Sequence, residues 1–266
     1  MYTRRLLYRG GPDVIEQVLS MLTPMQFAMV GAAAFAASTL RAFTGFGFAL
    51  IAVPVFSLFL SPANAVVLSA TLTLSVSSIT YKTWWGDFPW QYLPPVLAGS
   101  LLGTAVGVYF LSGLDAADFK LWIGASVLFA AVVLAVTKPK QRGKPPVTVS
   151  GTTGVLSGLM NGAFAIPGPP VIVYAMAYIN DARASRAFLI GFFAMSNAVS
   201  LVMFEVAGIV TAAPLLMLLA ALPLSMLGDR AGTWLFHKVG AGSYRPIALF
   251  VTGVLGLVNI LSGLAS

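Results

Sequence analysis

The stretch "NGAFAIPGPP", residues 161–170, sets three prolines and two glycines inside an apolar run that extends from 152 to 180. Proline in a helix interior removes a backbone donor and clashes with the preceding turn, at a cost of about 3 kcal/mol or more. A membrane offers no water to the freed backbone groups, so such a break survives only where protein or a watery cavity meets it. A second stretch, "TGFGFALIAVP" (44–54), interrupts an apolar run over 25–60 in the same way. As single helices the two runs would reach about 44 and 54 Å at 1.5 Å per residue. The hydrocarbon core is about 30 Å thick. Each long run therefore reads as two helical pieces.

The other apolar runs, 63–80, 91–111, 119–137, 184–204, 211–228 and 246–264, are of single-span length. The chain thus repeats one order twice, a broken run followed by three ordinary spans. Gly47 and Gly168 hold similar places in the two breaks, a shift of 121 residues. A broken run that folds back leaves its ends on one side, and three further spans make the crossing number odd. The two halves then point in opposite directions. The expected fold is an all-α polytopic membrane protein of two inverted repeats, each a broken or re-entrant helix pair followed by three transmembrane helices. The expected divisions are an N-terminal segment (1–24) with an interfacial helix, a first repeat (25–137), a basic cytoplasmic linker (138–150) and a second repeat (151–266).

Composition agrees. Hydrophobic residues make up 58% and charged residues 9%, against about 25% charged in a soluble domain. The formal charge of +7 fits an excess of basic residues in cytoplasmic loops. With the linker inside, Lys138, Lys140, Arg142, Lys144, Lys82, Arg183, Arg186, Arg230, Lys238 and Arg245 fall inside, whereas Arg4, Arg5, Arg9 and Lys120 fall outside. The three N-terminal arginines go against the rule. No basic face with interleaved aromatics suggests nucleic acid. There is no cysteine and one histidine, His237, so thiol chemistry, a metal site and a Ser/His/Asp arrangement are not expected, nor is any cofactor. Asp87, Asp115, Asp118, Asp181 and Asp229 are assigned to short polar loops, and Glu205 to the end of a span. Trp84, Trp85, Trp90 and Trp122 read as interface anchors.

The breaks suggest the chemistry. The half-helix starting at Gly168 would turn its amide-bearing, positive end into the protein, as would the one after "TGFGF". Two such ends meeting near the midplane make an anion site. The candidate binding residues are Arg41, Thr44, Gly45, Phe46, Gly47, Asn161, Gly162, Pro167, Gly168, Pro169 and Asn197. Arg41 is either a substrate contact, through its planar fork, or a side chain snorkelling to the interface. Asn161 either meets substrate or caps a half-helix. Thr71, Ser75 and Ser78 share a helical face and either line a pathway or bond back to their own helix.

These residues resemble the sulfite exporter TauE/SafE family, also called the toluene sulfonate uptake permease family. "GFGFALIAVP" (45–54) is similar to its glycine-rich first break, and "AIPGPPVIVY" (165–174) to the second break of one branch. The resemblance spans about 25–264. It implies movement of a small anion such as sulfite, sulfoacetate or a related sulfonate or carboxylate across a bacterial inner membrane. Many relatives carry three consecutive glycines at the breaks, where this chain has Gly45-Phe46-Gly47 and Pro167-Gly168-Pro169. The expected activity is secondary transport by alternating access, with an anion channel as the alternative. Protons or sodium as coupling ion, and a homodimer, stay open as partners.

Overall fold

A computed structural model describes residues 24–136, 142–239 and 244–265. Among these the chain forms ten α-helices and no strand: α1 (Pro24–Thr44), α2 (Phe48–Phe56), α3 (Pro62–Ile79), α4 (Leu93–Ser112), α5 (Ala116–Val136), α6 (Val147–Phe164), α7 (Gly168–Tyr178), α8 (Ala182–Val206), α9 (Ala212–Val239) and α10 (Tyr244–Leu264). Both long apolar runs are broken where the sequence predicts. Of the resulting pieces, α2 and α7 have nine and eleven residues, so at about 14 and 17 Å neither crosses a membrane alone. Five helices among the described residues are long and apolar enough to do so, namely α3, α4, α5, α8 and α9.

The register between the halves is 120 residues, not 121. The helices before the breaks end at Thr44 and Phe164, and those after them begin at Phe48 and Gly168. The next helices are capped at Ser61 and Asp181, whose side chains accept from Asn64 N and Ala184 N. The glycine match misleads because Gly47 is the residue before its half-helix and Gly168 the first residue of its own. In the corrected register Arg41 corresponds to Asn161, and Asn197 to Ser77.

Packing follows the same exchange. α4 packs on α6 as α9 packs on α1, while α5 packs on α10 and α3 on α8. Glycines set the closest approaches. Gly99, Gly103 and Gly107 of α4 interlock with Gly154, Gly158 and Gly162 of α6, where any added Cβ would collide with the facing backbone. Close backbone contact of this kind drives helix association in lipid, where apolar burial gives no advantage. The paired residue numbers rise together along α4 and α6, and along α1 and α9, so those pairs are parallel. Gly124 faces Gly256 and Ile260 while Gly263 faces Ala117 and Leu121, so α5 and α10 are antiparallel. The Thr211–Asn64 bond at one end and Trp84 against Gly191 at the other make α3 and α8 antiparallel too.

Several local expectations change. Asp229 lies inside α9, which continues to Val239 rather than ending near 228. Its helix continues because an internal ion pair satisfies the carboxylate. Arg230, His237 and Lys238 are therefore helical too, and the His237 side chain lies outside the described residues. α6 begins at Val147, after Pro146 in an extended conformation, so the residues from 147 to 150 are helical. Trp84 is not an interface anchor. It is buried and donates from Nε1 to Ser77 O at 3.0 Å, whereas Trp85, Trp90 and Trp122 are exposed. The N-terminal segment, with Arg4, Arg5 and Arg9, lies outside the described residues, as do Lys138 and Lys140.

Candidate functional site

The two breaks meet. Arg41, Phe46, Gly47, Phe48, Ala49, Leu50 and Thr73 from the first half, with Ala165, Ile166, Pro167, Gly168, Phe193 and Asn197 from the second, line one cavity. It measures about 20 Å³, room for roughly one water molecule. An oxyanion of four heavy atoms enters only if these walls part.

The break geometry explains the wall. α1 ends in a left-handed residue, Gly45 at φ 84°, whose N–H closes the helix on Arg41 O at 2.7 Å. Gly47, at φ 95°, then turns the chain into α2. Residues with a Cβ avoid this region, at about 1–2 kcal/mol. At the second break the corresponding left-handed residue is Ala165, at φ 53°. Its N–H bonds to Asn161 O at 2.8 Å, and Ile166 N to Met160 O at 3.3 Å. The Ser157 hydroxyl donates to Pro167 O and ties the break to α6.

The amides are not shared equally. The first-turn N–H groups of a helix have no partner within it. At α2 these belong to Phe48, Ala49 and Leu50, all at the cavity. At α7, Pro167, Pro169 and Pro170 have no N–H, which leaves Gly168 as the only amide of that turn. The second break thus offers fewer amides than the first, because the prolines that break the run also delete its donors.

Side chains supply the rest. Arg41 is 2% exposed and does not snorkel. Its Nη1 donates to Asp229 Oδ1 at 2.9 Å and its Nη2 to Ser77 Oγ at 2.7 Å. Ser77 Oγ donates to Thr73 O, and Trp84 holds the Ser77 carbonyl. Arg186 donates from Nη2 to Ala42 O at 2.7 Å, covering a carbonyl at the end of α1. Asn197, 1% exposed, bonds through Nδ2 to Phe193 O of its own helix. Its Oδ1 has no hydrogen-bond partner among the described residues. Phe46 packs on both hydrophobic clusters of the protein, one mainly from each half.

Other candidates lie elsewhere. Asn161 is fully buried beside the cavity rather than in its wall, with Nδ2 donating to Ser196 and Ser200 of α8 at 2.9 and 2.7 Å. Gly162 is a packing point against Thr104 of α4. Pro169 is buried behind Gly168 in the first turn of α7. The Thr44 side chain lies outside the described residues. Thr71 bonds back to Val67 O, Ser75 is half-buried, and Ser78 lines a separate apolar groove with Tyr81 and Trp85. Glu205 is exposed. Three contributors escaped the sequence reading: Thr73 and Ser77, on the other face of the hydroxyl-rich α3, and Asp229. The available signal for Asp229 was a lone acid flanked by glycine and arginine at the end of an apolar run.

Among the described residues no group of histidine and acidic side chains could hold a metal ion. Neither the curated proteins nor the solved structures searched match this chain. The model of one family, described as sulfite exporter TauE/SafE, matches residues 30–258, most of the chain. With its two helix breaks closed around a buried arginine, the chain belongs to the sulfite exporter TauE/SafE family.

Proposed function

We propose that this chain is a secondary transporter that moves a small oxyanion, sulfite or an organosulfonate such as sulfoacetate, by alternating access. It is a multi-pass membrane protein, and its family consists of membrane transporters. The observation that carries the reading is the single cavity formed by both breaks, with Arg41, Thr73 and Asn197 in its wall. The substrate charge meets the Arg41 guanidinium and the first-turn amides of α2, which together suit a compact oxyanion. Phe46 and Phe193 close the apolar side and limit size. At about 20 Å³ the pocket is too small for an oxyanion, so in this reading its walls part as one repeat moves against the other.

The two halves, 25–137 and 151–266 about the basic linker 138–150, act as inverted repeats in this reading. The exchange-symmetric packing supports it, as do the antiparallel pairs α3–α8 and α5–α10. Motion of one repeat against the other opens the cavity to each side in turn. The protein reconstituted in liposomes loaded with sulfite is expected to accelerate entry of labelled sulfite, with saturation at high concentration. Flux that never saturates, without counterflow, identifies a channel instead, and no anion flux at all refutes transport.

A further inference from the structure

We propose that Asp229 is the resident counter-anion of the transport site, holding Arg41 while the site is empty and yielding it to the entering oxyanion. The inference rests on the cavity being the anion site. Asp229 is the one acidic side chain among the described residues withdrawn from solvent. The Arg41 and Asp229 side chains are 3% and 14% exposed, while Asp87, Asp115, Asp118, Asp181 and Glu205 are all exposed. The carboxylate binds a residue of the cavity wall, so it occupies a donor that a substrate would need.

A second guanidinium favours exchange. Arg186 also lies within electrostatic reach of Asp229. When an oxyanion takes Arg41, Asp229 still feels the positive charge of Arg186, so its carboxylate is not left without a cation nearby. Arg41 keeps Ser77 as its second anchor and stays aimed at the cavity. The pair also joins α1 of one half to α9 of the other. Its exchange releases a strut between the two halves, so substrate binding and the opening motion become one event.

The test is Asp229→Asn, which keeps shape and removes the competing charge. With sodium sulfite as probe, the purified variant is expected to bind more tightly than wild type by about five-fold or more, the lower end of ordinary coupling between sites. Sulfite is expected to raise its melting temperature more than that of wild type, and its exchange turnover to fall. A purely structural role predicts lower stability with affinity unchanged or weaker. Should Asp229→Asn fail to fold, infrared difference spectra of the wild type with labelled aspartate decide. Sulfite is expected to shift an aspartate carboxylate band, and a silent carboxylate region overturns the proposal. A folded Asp229→Asn that binds sulfite no better than wild type overturns it too, leaving the anion site standing. If wild type binds neither sulfite nor sulfoacetate, the anion site and this inference fall together.

Discussion

Arg41 on α1 and Asp229 on α9 meet at 2.9 Å across 188 residues of sequence. Removing one partner of a buried ion pair costs about 3–5 kcal/mol, because the other is left uncompensated. Arg186 lies near the same carboxylate, so Arg41→Ala is expected toward the lower end of that range. The melting temperature falls and sulfite counterflow is lost. Arg41→Lys keeps the charge but not the two-pronged donor geometry. It is expected to retain the fold and transport with a raised KM. A variant Arg41→Ala that transports like wild type removes Arg41 from the site.

The two break glycines differ in kind. Gly47 stands at φ 95°, and an added Cβ would sit 3.2 Å from Leu40 Cδ2. Gly168 has no left-handed backbone, and its Cβ would sit 3.3 Å from the flexible tip of Ile172. Gly47→Ala therefore strains the turn by about 1–2 kcal/mol and tilts the amides of α2. Its exchange rate is expected to fall by about ten-fold or more, since small misplacements of binding groups are expensive. Gly168→Ala is expected to stay close to wild type. Equal losses in both variants mean that the second break carries as much of the site as the first.

The breaks, the span order and the meeting of the two halves were legible because proline, glycine and run length act locally. The positions of Asp229, Trp84 and Ser77 were not, because each depends on a partner distant in sequence or on the face its helix turns inward. A charged residue at the end of an apolar run looks like a loop until the opposing arginine is placed. The hydroxyls of α3 illustrate the same limit. Thr71, Ser75 and Ser78 share one face and Thr73 and Ser77 another, and periodicity does not say which face meets the cavity. The glycine spacing on α4 and α6 was present in the letters but, without a partner helix, indistinguishable from ordinary membrane glycine.

Asn161 and Asn197 separate packing from binding. Asn161→Ala removes the donor shared by Ser196 and Ser200; Ser196 keeps Ser100, so the cost of about 1–3 kcal/mol for a buried group left unsatisfied falls on Ser200. A lower melting temperature with an unchanged KM for sulfite is expected. Asn197→Ala removes only a bond within its own helix and an unpartnered oxygen at the cavity. Here stability is expected to hold and KM to rise. The opposite assignment of effects reverses the two roles.

The α4–α6 seam gives a test independent of transport. A Cβ at Gly103 would strike the carbonyl of Val155, which is backbone and can yield only if the helices part. Gly103→Ala is expected to cost about 1–3 kcal/mol by overpacking. Gly151, on the facing helix, has nothing within 4 Å of an added Cβ. Gly151→Ala is expected to stabilise by up to about 1 kcal/mol through helix propensity. Thermal unfolding in one detergent orders the three proteins as Gly151→Ala, wild type, Gly103→Ala.

Orientation gives the last test. Gly86, in the loop after α3, and Ala207, just after α8, are both exposed. Since α3 and α8 run antiparallel, the ends that carry these residues face opposite sides of the bilayer. Lys82 lies on the same loop as Gly86, and Arg183 and Arg186 begin α8, so the basic residues put the Gly86 side in the cytoplasm. The chain has no cysteine of its own, so single cysteines report cleanly. Gly86→Cys is expected to react with an impermeant thiol reagent only after the membrane is opened. Ala207→Cys is expected to react from outside in intact cells. Labelling of both from the same side would overturn the inverted arrangement and, with it, the alternating-access reading of the two breaks.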